Sequence, residues 1–291
     1  MSMIPCLPDH EIERYIEEDL PYGDLTTHLL GIGGQPGEIR FSTRHATTLC
    51  CTEEAARLLE KCGCRIHSAL PSGTALLACQ DFLHASGRAM ALHAGWKAAL
   101  NLLEYGSGIA TRTAGIVAAA RAVNPSIAVL TTRKSFPGTK KIAIKAIRSG
   151  GALPHRLGLS ETVLIFKQHT AFMGGLDALL GEIGRLRLSA VEKKIIVEAD
   201  SPEEALRIAQ SGADVVQIDK LPPVRLQPLV EEIRRMNNTM TISAAGGINE
   251  HNAAEYAATG VDILVLSSVY FGKPADIGVV IAPWERPASK I

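Results

Sequence analysis

Residues 194–219 read KIIVEADSPEEALRIAQSGADVVQID, and their periodicity changes twice. KIIVEA is a β-branched run without clean polar alternation, the pattern of a strand buried on both faces. SPEEALRIAQSGA then switches to helical spacing, with Ser201 placed to cap the helix, Pro202 in its first turn, and Ala205, Ile208 and Ala209 on one face. DVVQID returns to strand. Four further runs share this character: IAVLTT (127–132), TVLIFK (162–167), MTISAA (240–245) and DILVLSS (262–268). Strands that alternate with helices at spacings of roughly 20–35 residues predict a parallel sheet, either a (β/α) barrel or a doubly wound sheet. Chemistry separates the two, because a barrel gathers reactive groups at the C-terminal ends of many strands. Here Arg133 and Lys134 follow the first run, Lys167 ends the second, Glu198 lies near the end of the third and Asp219 ends the fourth. Gly246 and Gly247 follow the fifth, and Ser267 and Ser268 end the sixth. The barrel reading follows.

The first part of the chain has a different grammar. GEIRFSTRHATTLCC and GTALLACQDFLHASG read as short strands, and TEEAARLLEKCG reads as a helix with Thr52 at its N-cap and Gly63 near its end. A long helical stretch, ALHAGWKAALNLLEYGSGIATRTAGIVAAARAV, leads into the first barrel strand. The expected organisation is α/β: an α+β sandwich over residues 1–107, joined by the C-terminal segment 272–291, and an incomplete (β/α) barrel over residues 108–271 that carries the active site.

Composition narrows the function. The 291 residues include 30 basic and 30 acidic side chains, so bulk charge does not favour a nucleic-acid partner. No apolar run approaches the ~20 residues of a bilayer span. The N-terminal MSMIPCLPDHEIERYIEED turns acidic where an export signal needs basic and then apolar residues, which predicts a cytoplasmic protein. Six cysteines, Cys6, Cys50, Cys51, Cys62, Cys64 and Cys79, form a CC and a CxC without zinc spacing, and read as buried free thiols.

Between Thr131 and Glu161 the sequence TTRKSFPGTKKIAIKAIRSGGALPHRLGLSE carries eight basic side chains and one acid. Lys140, Lys141, Lys145 and Arg148 fit the exposed face of a helix. Arg133, Lys134, His155 and Arg156 adjoin strand ends or a Gly-rich turn, where they could grip phosphate or carboxylate. Glu198 and Asp219, at the ends of neighbouring strands, could hold Mg2+ directly or through its waters, or could pair with Lys134 or Lys167. AAGGIN (244–249) offers unobstructed backbone N–H groups ahead of a helix, and with Ser267 and Ser268 suggests a phosphate cup. Two carboxylates, a phosphate cup and several cations suit a phosphorylated, above all a pyrophosphorylated, sugar.

The same stretch resembles the quinolinate phosphoribosyltransferases, whose motif runs DTRKT-PG and then K-A---GGG-NHR-GL-D. The similarity extends to EEDLPYGDLTT, KAALNLLEYGSGIATRTA, VEADSPEEA and TGVDILVLSS. It implies an α/β sandwich with an incomplete barrel, Mg2+, and a homodimer or higher oligomer that shares its active sites. The implied reaction transfers phosphoribosyl from phosphoribosyl pyrophosphate to a pyridine nitrogen, with loss of CO2 and pyrophosphate. By the same resemblance Lys134, Glu198 and Asp219 meet the ribose pyrophosphate and metal, Gly246 and Gly247 the phosphate, and Arg133, His155 and Arg156 the acidic heterocycle.

Several positions depart from the motif: Thr131 for Asp, Pro154 for Asn, Lys97 for Arg, Lys220 for Asn, Ile196 for Glu and Ala245 for Ser. In LIFKQH the family lysine falls on Phe166, and Lys167 follows one residue later, a shift that reverses a side chain's face on a strand. The changes at Lys97 and Phe166 weaken the same dicarboxylate pocket, and the pattern resembles the ModD branch, named for molybdenum-transport operons. No thiolate or carboxylate cage marks the chain as a molybdate carrier. The leading expectation is therefore a phosphoribosyltransferase whose heterocyclic acid differs from quinolinate. The alternatives are a quinolinate enzyme of NAD biosynthesis and a non-catalytic sugar-phosphate-binding or regulatory protein linked to molybdate transport.

Overall fold

A computed structural model describes residues 6–284 and divides the chain into two compact units. The first comprises Met1–Ala114, Pro137–Gly151 and Gly272–Ile291, the second Gly115–Phe136 and Ala152–Phe271. Residues 1–5 of the N-terminal stretch and 285–291 of the C-terminal segment lie outside the described residues. No helix among the described residues is long and apolar enough to cross a membrane.

In the first unit an antiparallel sheet runs Ile277–Pro283, Pro36–Thr43, Asp81–Arg88, Arg65–Ala69. The strand Pro36–Thr43 alternates cleanly, with Ile39, Phe41 and Thr43 buried and Arg40 exposed, because successive side chains leave opposite faces. Helix Thr52–Lys61 buries Ala55, Leu58 and Leu59, and Gly63 ends it at φ +100. Its cap differs from expectation. Thr52 is already helical, and the preceding residue, Cys51 at φ +64, makes no side-chain cap. Helix Ala89–Val123 is continuous over 35 residues. Gly106 interrupts its side-chain surface because a Cβ there would stand 2.8 Å from Cys51 Sγ and 3.3 Å from Cys50 Sγ. Cys50, Cys51 and Cys64 are buried, whereas Cys6 and Cys79 are exposed.

The helix Lys140–Ser149, read in sequence as part of the barrel region, packs in this first unit. One of its residues overturns an expectation. Lys145 is not on a solvated face: its side chain is 1% exposed, with Nζ 2.6 Å from Glu54 Oε2 and 2.9 Å from Glu53 Oε2. The reason is helical geometry, since Ile142, Lys145, Ala146 and Ser149 share one buried stripe.

The second unit is a seven-stranded parallel sheet. Its spatial order is Leu153–Pro154, Ala128–Thr131, Ile263–Leu266, Thr241–Ala245, Val215–Asp219, Ile195–Ala199, Val163–Ile165. The last strand in sequence, Ile263–Leu266, pairs with the first, Ala128–Thr131, as in a closing barrel. The break falls between the second strand, Leu153–Pro154, and the third, Val163–Ile165, so the barrel is incomplete. All six predicted strands are present; the added one is two residues long and contains a proline. Ser201 caps helix Pro202–Ala209 as expected, accepting a hydrogen bond from the Glu204 backbone N–H at 3.2 Å.

Candidate active site

Inside the half-barrel, register stacks side chains in layers. Val215 pairs with Ile196, and Ile196 with Leu164, to make an apolar floor against which Phe166 packs. Two residues beyond Ile196 and Val215 the floor turns polar: Gln217 pairs with Glu198, and Gln217 Nε2 donates to Glu198 Oε2 at 2.7 Å. Beyond them stand Asp219 and Asp200. One carboxylate oxygen from each of Glu198, Asp200 and Asp219 lies within 4.8 Å of the other two.

These layers open into a cavity of about 810 Å3 at the C-terminal strand ends. Arg133, Lys134, His155, Arg156, Glu198, Asp219, Gly246, Gly247, Ser267 and Ser268 all line it, so ten of the sequence-predicted residues converge there. Thr132, Leu164, Phe166, Gln168, Gln217, Lys220 and Asn249 line it as well. Arg156 is buried, and burial together with the nearby Arg133 charge depresses its guanidinium. Burial, and then the adjacent Arg156, likewise holds His155 below the ordinary imidazole value, which favours its neutral form. Burial pushes Glu198 upward, with Asp219 and Asp200 acting in the same sense and Gln217 opposing.

The glycine turn is built by contact. Gly246 and Gly247 sit at φ +84 and +76, and a Cβ on Gly246 would fall 2.5 Å from Asp219 Oδ1 and 2.5 Å from Lys220 Cγ. Asn249 and Asn252 donate to Gly247 O at 3.0 and 3.1 Å, and Ser268 Oγ donates to Ile248 O at 2.9 Å. Ser268 thus braces the turn. Gly246→Ala is expected to cost about 1–3 kcal/mol through backbone strain and overlap. It should displace Asp219, so ligand affinity should fall further than Tm; unchanged donor binding by calorimetry would contradict this.

Two predicted residues stand elsewhere. Lys97 lies on the part of helix Ala89–Val123 that belongs to the first unit, its Nζ 5.4 Å from the Trp96 ring centroid. Lys167 does not line the main cavity. The third strand ends at Ile165, Phe166 remains extended at φ −110 and ψ 168, and Lys167 begins the short helix Lys167–Thr170. Its Nζ therefore meets Asp200 Oδ2 at 3.0 Å, on the wall of a neighbouring cavity of about 510 Å3. No bulge restores its direction, and Phe166 keeps the cavity face.

Thr131 is buried, and its hydroxyl stands 2.8 Å from Tyr270 Oη, to which it can donate. The same phenol donates to Thr132 O at 2.9 Å, fixing the strand end from which Arg133 and Lys134 emerge.

A profile of the quinolinate phosphoribosyl transferase C-terminal domain matches residues 109–279, and that of the N-terminal domain matches residues 24–107. The chain belongs to the quinolinate phosphoribosyltransferase family. It is 44% identical to the ModD protein of Rhodobacter capsulatus over 254 residues, covering 87% of this chain and 97% of that one. ModD of Pasteurella multocida is 36% identical over 273 residues, 94% and 97% of the two chains. The nicotinate-nucleotide pyrophosphorylase (carboxylating) of Mycobacterium leprae is 31% identical over 264 residues, 89% and 91% of the two. The fold matches the nicotinate-nucleotide pyrophosphorylase of Francisella tularensis at a TM-score of 0.87, with 21% identity over 97% of this chain and 100% of that one.

As a member of this family the chain is a phosphoribosyltransferase. Asp200 and Gln217 were not singled out in the sequence, yet the signal was present. Each lies two residues from a predicted carboxylate, Asp200 from Glu198 and Gln217 from Asp219, and therefore faces the same way along a strand end. The three carboxylates supply hard oxygen donors of the kind Mg2+ takes.

Proposed function

We propose that the chain transfers the ribose 5-phosphate group of phosphoribosyl pyrophosphate to a ring nitrogen of a heterocyclic acid other than quinolinate, releasing pyrophosphate. The observation that carries this reading is Phe166, an aromatic side chain on the cavity wall where the family motif has lysine.

In the proposed step the C1′–O bond to pyrophosphate breaks as the ring nitrogen forms the C1′–N bond. Lys134 meets the growing charge on the leaving group. Arg133, Arg156 and His155 hold the acid group of the acceptor, and the Gly246–Gly247 turn receives the 5-phosphate. Glu198 and Asp219, with Asp200, would hold Mg2+, which supplies charge neutralisation for the pyrophosphate. Exposed Tyr22, Leu25, Leu29 and Leu30 support a homodimer, and the family's shared sites would bring Lys97 from the partner subunit.

A second acceptor carboxylate beside Phe166 would be buried without a partner, at a cost of roughly 2–3 kcal/mol or about a hundredfold in affinity. Two measurements test the reading. Phosphoribosyl pyrophosphate with Mg2+ should give a heat of binding without any acceptor, and absence of heat at millimolar donor would remove the transferase reading. Across a panel of heterocyclic acids, quinolinate should be turned over at least about a hundredfold less efficiently than the best acceptor. Lys97→Arg combined with Phe166→Lys should raise quinolinate kcat/KM. Efficient quinolinate turnover by the unmodified protein would favour the NAD-pathway enzyme instead.

A further inference from the structure

Two of the three clustered carboxylates already carry an ammonium group. Lys220 pairs with Asp219, and Lys167 Nζ stands 3.0 Å from Asp200 Oδ2, whereas Glu198 receives the neutral Gln217 amide. Lys220 is also strained. It sits at φ +56, in the left-handed region that a lysine rarely adopts, immediately after the strand that ends in Asp219. The strain has no return in stability: the Lys220 and Lys167 side chains are 77% and 70% exposed, and exposed ion pairs stabilise little. What the conformation does achieve is position. The Lys220 N–H donates to Ala245 O at 2.8 Å, and its Cγ lies 2.5 Å from where a Gly246 Cβ would stand, so the glycine turn and the lysine are fitted to each other. Lys220 borders both cavities, as does Asp219, with which it pairs.

We infer that Lys220 and Lys167 are the resident counter-ions of this cluster in the donor-free state, and that a divalent cation gains Asp219 and Asp200 only by displacing them. The inference rests on the transferase reading of the site. Its consequence is that metal and phosphorylated donor bind together. A displaced ammonium turns to the phosphate oxygens, and a divalent ion on its own competes against two lysines for the same oxygens.

The experiment titrates Mn2+ into the full chain without donor and reads the free ion by electron paramagnetic resonance. Parent, Lys220→Asn, Lys167→Gln and the double variant are compared, with circular dichroism and Tm as checks on folding. Asparagine tolerates a positive φ, so Lys220→Asn keeps the turn. The expected result is weak Mn2+ binding by the parent and binding at least about tenfold tighter by the double variant, each single variant falling between. In the same proteins, affinity for phosphoribosyl pyrophosphate at saturating Mn2+ should fall in Lys220→Asn. Equal Mn2+ affinity in folded parent and double variant, or no binding by either, would overturn the inference. Because the Mn2+ titration contains no donor, it can fail while parent donor binding, and with it the transferase reading, stands.

Discussion

Replacing Glu198 or Asp219 by alanine is expected to lower kcat/KM for pyrophosphate release by about 10²–10³, the scale seen when one preorganised polar group is removed from an active site. The fold should survive, because the strands that carry them are held by Ile195, Val197, Val216 and Ile218, all buried on the opposite face. Glu198 in fact opposes folding in its charged form, since burial and the nearby Asp219 and Asp200 push its carboxyl upward. Its removal should therefore leave Tm within about 3 °C of the parent. Glu198→Gln separates charge from shape. If the carboxylate charge matters, the isostere loses as much activity as alanine while retaining the Gln217 neighbourhood. Full turnover by Asp219→Ala, or by the parent protein in excess chelator, would disprove the assignment.

The strand ends were legible in the sequence because two periods overlap there. Parallel strands buried on both faces announce themselves as β-branched runs, and the first charged residue past each run marks the mouth of the barrel. What escaped has identifiable causes. Leu153–Pro154 is too short to show a period, and proline lacks the donor a strand normally uses. The cap of helix Thr52–Lys61 escaped because Cys51 adopts a left-handed conformation that its residue type does not advertise. Lys167 is instructive in a different way. The face reversal was readable from LIFKQH, but the partner it then meets, Asp200, comes from the next strand and only the three-dimensional register supplies it. Lys145 was misread because residue type was given more weight than period. Its place between Ile142 and Ser149 on an apolar stripe was as visible as any in the chain.

Lys145→Met is expected to destabilise the first unit by about 3–5 kcal/mol, the usual consequence of removing one partner from a buried ion pair. Glu54 is the reason. Its side chain is 0% exposed, both of its oxygens face Lys145 Nζ at 2.7 and 2.6 Å, and Oε1 also accepts the Leu7 backbone N–H at 2.9 Å. Without the ammonium, the buried carboxylate would lose its counter-charge. At roughly 2–4 °C per kcal/mol, Tm should fall by about 6–20 °C. Adding Glu54→Gln to Lys145→Met should recover more than half of the loss, since a neutral amide can still accept from Leu7. The pH dependence carries the same signature. Burial acts to raise Glu53, but the Ser72 hydroxyl and backbone N–H, and then Lys145, hold it down to about 2. A carboxyl depressed in the folded state stabilises fully above its ordinary value of 4.5, and that stabilisation disappears as pH falls through about 2. Lys145, raised by Glu54 and Glu53 against the effect of burial, contributes fully below 10.5 and loses its contribution only as pH rises through its higher folded value. The stability gap between parent and Lys145→Met should therefore be widest between pH 5 and 10 and should narrow as pH drops from about 4.5 towards 2. Denaturant unfolding at pH 7 and pH 3 measures it, and a Lys145→Met protein within about 1 kcal/mol of the parent at pH 7 would mean that this buried cluster does not hold the unit together.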